Sequence, residues 1–347
     1  MEAVPSTPRR RRRTVTIRDV ARQASVGAGT VSRVLNRPET VSDETRLRVE
    51  SVIKDLNYEP SQVARNLSLG HTMTIAIVAP FLMRPSIVER LRGFTRAVNG
   101  SGYDVVLFDV ESRYQRDAQL RKLSQRGQAD GAIITSLPLK DDDVAAFERA
   151  GLRLVLLDTV HAGFPSVSID DVQGGVLATQ HLIDLGHRRI AFVGDVEVNP
   201  FGFTSSNDRR AGYRIALERA GIAWRGDYVG EAEHGEDAAV RLTEALLRHP
   251  EPPTAIFAAS DTQAFGVLDA ARRAGARVPE DLSVIGFDDI EVARYLGLTT
   301  VRQPLDESGA RAATILLASL RDEQIDNETV ELPLEIVQRE TTAGRPG

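Results

Sequence analysis

The sequence predicts an α/β protein in which a small all-helical unit at the N-terminus is followed by two doubly wound parallel-sheet lobes. Residues 16–57 carry apolar side chains at helical spacing only. From residue 73, short apolar runs such as TIAIVA alternate with helical patterns, which is typical of a parallel sheet covered by helices on both faces. The same alternation begins again near residue 172, so the 347 residues are long enough to hold two such lobes in tandem.

The helical unit begins with the stretch TIRDVARQASVGAGTVSRVLN at residues 16–36. Apolar residues recur with a spacing of three or four along residues 17–24 and again along residues 31–35, with a break at Gly27 between them. Thr16 followed by Asp19 resembles a capping box at the start of the first helix. Two short helices joined by a tight turn with glycine are typical of a helix-turn-helix, although an ordinary helical hairpin has the same spacing.

The flanking segments favour a unit that binds DNA. Five consecutive arginines occupy residues 9–13, and Ser42 opens a third predicted helix that Asn57 ends. Residues 1–70 hold 13 Lys and Arg against 8 Asp and Glu, a net charge of +5, whereas the rest of the chain carries −11. A basic three-helix unit on an acidic body predicts that nucleic acid binds at the N-terminal end. Residues 1–15 are predicted to be a disordered basic arm, which either adds phosphate contacts or is a solvated tail.

Three sequence blocks in this region resemble a known family. TVSRVLN, VSDETRLRV and LNYEPSQVARNLS occur in the order and at the spacing found in the headpiece of the lactose-repressor (LacI/GalR) family of bacterial transcription regulators. The resemblance to this headpiece runs over residues 16–69 and implies a ligand-controlled repressor that binds a near-palindromic operator as a homodimer. It also implies that residues 59–70 form a hinge helix, which pairs with its dimer mate in the minor groove of the DNA.

The second helix of the headpiece is predicted to read the operator. Arg33 is the best candidate, because arginine can bond guanine O6 and N7 together. Ala28 and Gly29 match the two family positions that select the operator, yet they carry almost no hydrogen-bonding capacity, so readout is expected to depend on Arg33 and DNA shape. The resemblance implies that Leu67 wedges into a minor-groove base step. The residues predicted to contact DNA are Thr16, Ala28, Gly29, Thr30, Ser32, Arg33, Asn36, Asn57, Tyr58, Ala64 and Leu67. Caps or turns remain alternative roles for the threonines and the serine among them.

The rest of the chain also resembles this family. SIDDVQGG, HLIDLGHRRIAFVG, DRRAGYRIAL, AIFAASDTQAFGVL, VPEDLSVIGFDD and LTTVRQP match it in order, so the resemblance covers residues 16–343. It implies a two-lobed effector domain like the periplasmic binding proteins, with the chain crossing between lobes near Asp170, Arg302 and Pro333. The predicted domains are a headpiece at 16–58, a hinge at 59–70, one lobe at 71–170 and 303–332, and another at 171–302 and 333–343.

The predicted effector site lies in the cleft between the lobes, at the carboxyl ends of the strands. Arg209 is predicted to open a helix after a long loop and matches the family's ligand-binding arginine, and Asp288 ends the strand LSVIGFD. Arg84 has no firm family equivalent, and an additional cation there would favour an acidic or phosphorylated effector. The predicted effector-binding residues are Phe81, Arg84, Asp158, Ser205, Arg209, Ser260, Asp261 and Asp288. Each of these residues could instead be a solvated loop end or a helix cap that does not contact a ligand. This alternative is strongest for Asp261, which is placed as a helix cap.

The composition of the chain and the motifs that it lacks argue against several other classes of protein. The chain contains no cysteine, so it has neither disulfides nor a thiolate metal site. The sequence holds no apolar stretch of about 20 residues, no secretory signal and no phosphate-binding glycine loop, so we expect a cytoplasmic protein without a cofactor. His181 and His187 are six residues apart, which does not fit a helical metal pair, and His234 is interpreted as part of a solvated loop.

Two other classes of function remain as alternatives. A transport-type solute-binding protein would need export, which the missing signal and the headpiece disfavour. An enzyme on this fold would need a nucleophile, an acid–base pair or a metal set in the cleft, and none is evident. Family tetramers carry an extra C-terminal helix, whereas this sequence ends with VQRETTAGRPG, which favours a dimer.

Overall fold

The computed structural model describes most of the chain as two separate units. The described residues are 15–58, 71–125, 127–197, 199, 201–324 and 329–345. One unit comprises residues up to Thr72, and the other runs from Met73 to the C-terminus. The predicted hinge helix at 59–70, and all but the last residue of the predicted arm, lie outside the described residues.

The N-terminal unit is the predicted helix-turn-helix followed by a third helix. Its elements are α1 (Ile17–Gln23), α2 (Ala28–Asn36), a 3-10 turn (Pro38–Thr40) and α3 (Asp43–Asp55). Val20, Val31 and Val49 from the three helices are fully buried against one another. The carboxylate of Asp19 accepts hydrogen bonds from the Thr16 backbone N–H at 3.0 Å and from its hydroxyl at 2.7 Å, which fixes the start of α1.

The first lobe of the second unit is built on a six-stranded parallel sheet. Its strands are β1 (Thr74–Pro80), β2 (Asp104–Val110), β3 (Gly131–Thr135), β4 (Arg153–Leu157), β5 (Ser166–Ser168) and β11 (Thr329–Glu331), in the order β11-β5-β4-β3-β1-β2. Its helices are α4 (Pro85–Val98), α5 (Arg113–Leu123), α6 (Asp141–Ala150) and α12 (Leu305–Leu320). The central strands are apolar along their whole length because helices cover both faces.

The second lobe repeats this plan with one antiparallel edge. Its strands are β6 (Ile190–Asp195), β7 (Val229–Ala232), β8 (Ala255–Ala258), β9 (Ser283–Asp288), β10 (Thr299–Arg302) and β12 (Glu335–Val337), in the order β12-β10-β9-β8-β6-β7, with β12 antiparallel to β10. Its helices are α7 (Asp171–Asp184), α8 (Ser205–Arg219), α9 (Glu236–Leu247), α10 (Asp261–Ala274) and α11 (Glu291–Tyr295), with a 3-10 turn at Gly226–Tyr228. The chain passes between the sheets after β5, after β10 and after β11.

Two helix starts determine how residues reach the cleft, and one of them, that of α8, comes earlier than the sequence predicts. Helix α7 starts at Asp171 because the carboxylate of Asp170 accepts a hydrogen bond from the Gln173 backbone N–H at 2.8 Å and so caps the helix. Helix α8 starts at Ser205, which places Arg209 in its second turn instead of at its opening. The loop before α8 is correspondingly shorter than predicted.

A close backbone contact joins α4 and α12 of the first lobe. A Cβ at Gly93 would lie 1.7 Å from the backbone oxygen of Asp306, and one at Gly309 would lie 1.9 Å from that of Arg90. Only glycine permits this backbone approach. Among the helices of the described residues, none combines the length and the apolar character needed to cross a membrane.

Candidate functional site

A cavity of about 730 Å³ lies between the two lobes, where strands of both sheets end. Parallel strands present their carboxyl ends at one edge of a sheet, so residues that follow different strands converge there. Seven of the eight residues predicted from sequence line this cavity: Phe81, Arg84, Asp158, Ser205, Arg209, Ser260 and Asp288.

The backbone is strained at several of these strand ends. Phe81, Ser136, Asp158 and Asp288 follow or end four different strands, line the cavity and have φ angles of 49°, 53°, 62° and 120°. Non-glycine residues rarely adopt such conformations, and where they do the position is commonly functional. The strain thus marks the cleft independently of the side-chain chemistry.

Arg209 is a tightly held cation of the cleft. Its Nε donates to Asp171 Oδ1 at 2.7 Å and its Nη1 donates to the Ala259 carbonyl at 2.6 Å. Its guanidinium carbon lies 3.6 Å from the centroid of the Phe287 ring, and Nη1 is 3.8 Å from Asp288 Oδ1. These contacts fix the plane of the guanidinium, so its position in the cleft is set before any ligand arrives.

The two carboxylates beside Arg209 have raised pKa values. Burial raises the pKa of Asp171 to about 6, although the neighbouring Arg209 opposes this shift. Burial also raises the pKa of Asp288, against the effect of Arg209 and of the hydrogen bond from Gln303. Asp288 lines the cavity and is an acceptor in a poorly solvated site, where a hydrogen bond to a ligand hydroxyl is worth more than in water, whereas Asp171 lies behind Arg209 and holds its guanidinium.

The wall formed by the first lobe depends on a second arginine, which the sequence analysis missed. Arg90 is buried, and its Nη2 lies 3.0 Å from Asp158 Oδ1 and donates to Gln303 Oε1 at 2.9 Å, while Nη1 donates to the Ser308 hydroxyl at 2.7 Å. Burial raises the pKa of Asp158, but Arg90, Arg209 and the hydroxyl of Ser136 outweigh this, so the pKa lies below its ordinary value. The sequence carried one signal for Arg90, because it is a charged residue on the face of α4 that is otherwise apolar and buried.

A chain of hydrogen bonds crosses the floor of the cleft from one lobe to the other. Arg90 joins Asp158 to Gln303, and the Gln303 side-chain N–H donates to Asp288 Oδ1. Asp158 follows β4 of the first sheet, whereas Asp288 ends β9 of the second. A ligand that competes for either carboxylate would therefore act on a network shared by both lobes.

His234 belongs to the cleft, which corrects its interpretation as part of a solvated loop. Its Nδ1 lies 3.1 Å from Asp195 Oδ1, and both residues line the cavity. Gln263 also donates to Asp195 Oδ1, at 3.0 Å. Asp195 ends β6, so the rule that strand ends meet at the cleft would have identified it, whereas His234 has no comparable signal in the sequence.

Asp261 does not line the cavity, and its predicted role is corrected accordingly. It is fully buried, with Oδ2 accepting from the Ile290 backbone N–H at 2.9 Å and Oδ1 from the Thr300 hydroxyl at 2.6 Å. Burial and the nearby Asp288 raise its pKa well above the ordinary value. The capping role falls to Ser260, whose hydroxyl accepts from the Gln263 backbone N–H at 3.2 Å. Asp261 therefore stabilises the floor beneath the site.

Aromatic rings close one side of the cleft. Phe81, from the loop after β1, packs edge-on against Phe201 at 5.3 Å between ring centroids, and Phe201 stacks on Phe203 at 5.1 Å. Phe201 and Phe203 come from the segment between β6 and α8, so rings from both lobes meet here. The guanidinium carbon of Arg84 lies 4.2 Å from the Phe81 centroid. An apolar wall opposite polar groups is typical of a pocket for a small molecule.

In the N-terminal unit, the predicted DNA-contacting residues lie mostly on an open surface. Arg33 is exposed on α2, with only long contacts of 3.4 Å to the Gly29 carbonyl and the Thr30 hydroxyl. Thr16, Gly29, Arg33 and Asn57 are exposed, and Ala28, Thr30, Ser32 and Asn36 are partly exposed. Ala64 and Leu67 lie outside the described residues.

Tyr58 is the exception in this set. Its side chain is only 8% exposed and packs in the core of the N-terminal unit, and burial raises the pKa of its phenol. The predicted side-chain contact to DNA is corrected, because this ring supports the third helix from inside.

No cluster suited to a metal ion is found within the part of the chain that the structure describes. His187 is buried, with Nδ1 3.0 Å from the Thr254 hydroxyl and Nε2 3.0 Å from the Ser283 hydroxyl. These contacts give it a structural role in the second lobe.

Known proteins resemble this chain over nearly its whole length. Residues 16–61 match the bacterial regulatory proteins of the lacI family, and residues 179–342 match a periplasmic binding protein-like domain. Catabolite control protein A of Priestia megaterium is 34% identical over 94% of this chain and 99% of that protein. The ribose operon repressor of Halalkalibacterium halodurans is 35% identical over 95% and 97%.

A solved structure shows the same similarity. The lac repressor dimer bound to operator and the anti-inducer ONPF has a TM-score of 0.80 at 29% identity, covering 95% of this chain and all of that one. The order of the helix-turn-helix and the two parallel-sheet lobes agrees with this neighbour. By sequence and by fold, this chain belongs to the lacI family of bacterial regulatory proteins.

Proposed function

We propose that this protein is a ligand-responsive repressor of transcription that binds a near-palindromic operator as a homodimer and holds a small sugar-like effector between its lobes. One observation carries the proposal. The same chain combines an exposed polar helix face around Arg33 with a polar cleft around Arg209 and Asp288. Two of the similar proteins support it, since they are named the ribose operon repressor and the lac repressor.

The chemistry of the cleft suits a polyhydroxylated ligand. The planar guanidinium of Arg209 can donate two parallel hydrogen bonds, and the Asp288 carboxylate can accept from a pair of hydroxyls. The ring of Phe81 offers an apolar surface to the less polar face of a sugar. These groups bind and orient a ligand, and we assign the protein no reaction.

Control of DNA binding would follow from movement of the lobes. The network from Asp158 to Asp288 joins the two lobes across the cleft, so a ligand that rearranges it changes their relative position. The second unit begins at Met73, shortly after the predicted hinge at residues 59–70. In a dimer, the two hinges can pair only if the segments from which they start are held close together. Leu67 of each subunit would then enter a minor-groove base step, and the effector would act by ordering or releasing this segment. The operator target implies action in the cytoplasm.

Selection from a random duplex library tests the function directly. The full-length protein should enrich a motif of two inverted half-sites, and a gel shift on that motif should change when the correct effector is added. A thermal-shift screen over sugars, sugar phosphates and purines identifies that effector. If no motif is enriched, the protein does not read sequence, and the alternative of a solute-binding protein without a role in transcription gains support.

A further inference from the structure

We propose that the effector carries an anionic group, a phosphate or a carboxylate, and that Arg84 receives it. The inference rests on the proposed function, because it names the chemical class of ligand that the same cleft would bind. The proposal rests on the three arginines that line the cavity, Arg84, Arg90 and Arg209, which differ in whether a carboxylate of the protein forms an ion pair with them.

Two of the three arginines are already neutralised by the protein. Arg90 forms an ion pair with Asp158 at 3.0 Å, and Arg209 pairs with Asp171 at 2.7 Å. Within the described residues, the guanidinium of Arg84 has neither an ion pair nor a hydrogen bond, and its one specific contact is the face of the Phe81 ring. The ring contact leaves the N–H groups at the edge of the guanidinium free to donate to a ligand.

The site of Arg84 is costly for an unpaired cation. Burial lowers the pKa of Arg84 even though Asp195 and Asp288 act to raise it. Both of these carboxylates belong to the second lobe and are engaged elsewhere, Asp195 with His234 and Asp288 with Gln303. Arg84 is half-buried, so its charge is only partly solvated; without a close partner such a charge is unfavourable, and an anionic ligand would supply that partner.

A structural role does not explain Arg84. It is the N-cap residue of α4, where the positive end of the helix dipole disfavours a cation, and its side chain makes no capping hydrogen bond. Replacing it should therefore cost the fold little. This separates it from Arg90 and Arg209, whose loss would leave buried carboxylates unpaired.

The distribution of charge also gives the ligand a direction. Carboxylates line both walls of the cavity, Asp109, Glu111 and Asp158 in the first lobe and Asp195, Glu233 and Asp288 in the second, so an anion is favoured only near a cation that the protein leaves unpaired. Among the described arginines of the cavity, that cation is Arg84 of the first lobe. The anionic end should therefore point toward Arg84 and the hydroxyl groups toward Asp288 and Arg209. A sugar phosphate or a sugar acid has this polarity.

Matched pairs of small molecules test the proposal on the full-length protein. Ribose is compared with ribose 5-phosphate and glucose with glucuronate, and inorganic phosphate is added alone, with calorimetry as the readout. The wild type should bind at least one anionic member about tenfold or more tightly than its neutral partner, as expected for a charge-assisted hydrogen bond. Arg84→Gln should abolish this preference, and Arg84→Lys should retain part of it.

Arg121→Gln is the matched control, because it removes one exposed positive charge from α5 of the same lobe, outside the cavity. It should leave the preference unchanged. A wild type that binds neither the anionic probes nor phosphate, that prefers the neutral partners, or whose anion preference survives in Arg84→Gln would overturn the proposal. Calorimetry needs no DNA, so this failure is distinguishable from failure to select an operator.

Discussion

The guanidinium of Arg90 lies 3.0 Å from the carboxylate of Asp158, and this ion pair joins helix α4 to the end of strand β4. Arg90 is buried and Asp158 is partly buried, so neither charge has free access to water. Arg90 also fixes the side chain of Gln303, because Arg90 Nη2 donates a hydrogen bond to Gln303 Oε1 at 2.9 Å. The wall of the cleft and the stability of the first lobe therefore depend on the same contact.

Arg90→Met should lower the free energy of unfolding by about 3–5 kcal/mol, since it leaves the Asp158 carboxylate buried without its cation. Urea unfolding of the full-length protein, followed by circular dichroism, measures the loss. Arg153→Gln is the control, because its ion pair with Asp322 is exposed and should contribute less than about 1 kcal/mol. Equal effects of the two substitutions would contradict a special role for Arg90.

Asp288→Asn and Arg209→Ala should each abolish the response to effector while the headpiece still binds DNA, and Arg209→Ala should also lower the stability of the second lobe, because it leaves Asp171 without its cation. Asp288 loses the charge that accepts from ligand hydroxyls, and Arg209→Ala removes the fixed donors. Calorimetry with the effector found by the thermal-shift screen, and a gel shift without effector, give the two measurements. Unchanged effector affinity in both variants would show that the ligand binds outside this cleft.

The raised pKa of Asp171 should make the free energy of unfolding fall as the pH rises. Its pKa in the folded protein is about 6, above the ordinary 3.8, so the folded state retains a proton that the unfolded state releases between these values. The stabilisation is complete below about pH 4 and is lost as the pH rises through about 6. Urea unfolding of the wild type and of Asp171→Asn at several pH values should show their difference changing in this direction.

Asp281→Asn provides a control, because the pKa of this carboxylate is lowered in the folded protein and not raised. Hydrogen bonds from Arg277 lower the pKa of Asp281 to about 2, so its contribution to stability is present above pH 4 and is lost only in stronger acid. Between pH 4.5 and 7 the difference between the wild type and this variant should stay constant. A similar pH trend for both aspartates would mean that general charge effects, and not Asp171, cause it.

Gly93→Ala should destabilise the first lobe strongly. Its Cβ would lie 1.7 Å from the Asp306 backbone oxygen, so α4 and α12 must separate, and overpacking of this kind costs about 1–3 kcal/mol or more. Gly226→Ala is the control, because nothing lies within 4 Å of a Cβ at that position. Thermal unfolding compares the two, and an unchanged midpoint for Gly93→Ala would refute the close helix contact.

The headpiece and the order of strands and helices in both lobes could be predicted from the sequence, because apolar residues repeat there at regular spacing over long segments. Residues at the ends of long strands, such as Asp158 and Asp288, could be placed in the cleft by topology alone. Short edge strands such as β7 and β11 carry too few apolar residues to be predicted. His234 and Phe201 lie in loops, and only the three-dimensional structure brings them to the cleft. Asp261 shows the reverse case, since its position at a helix start does not reveal that its side chain points into the core.

Arg33→Ala should abolish selectivity for the operator and leave non-specific DNA binding in place. In the free protein the Arg33 side chain is exposed and makes only long contacts, so its loss should not unfold the headpiece. If it bonds guanine, each half-site loses about 1–3 kcal/mol, whereas phosphate contacts elsewhere are kept. Competition gel shifts against operator and random DNA measure the ratio. Arg48→Ala on α3, also exposed, is the control and should lower both affinities alike or not at all. A variant at position 33 that still prefers its operator as strongly as the wild type would show that other groups read the bases.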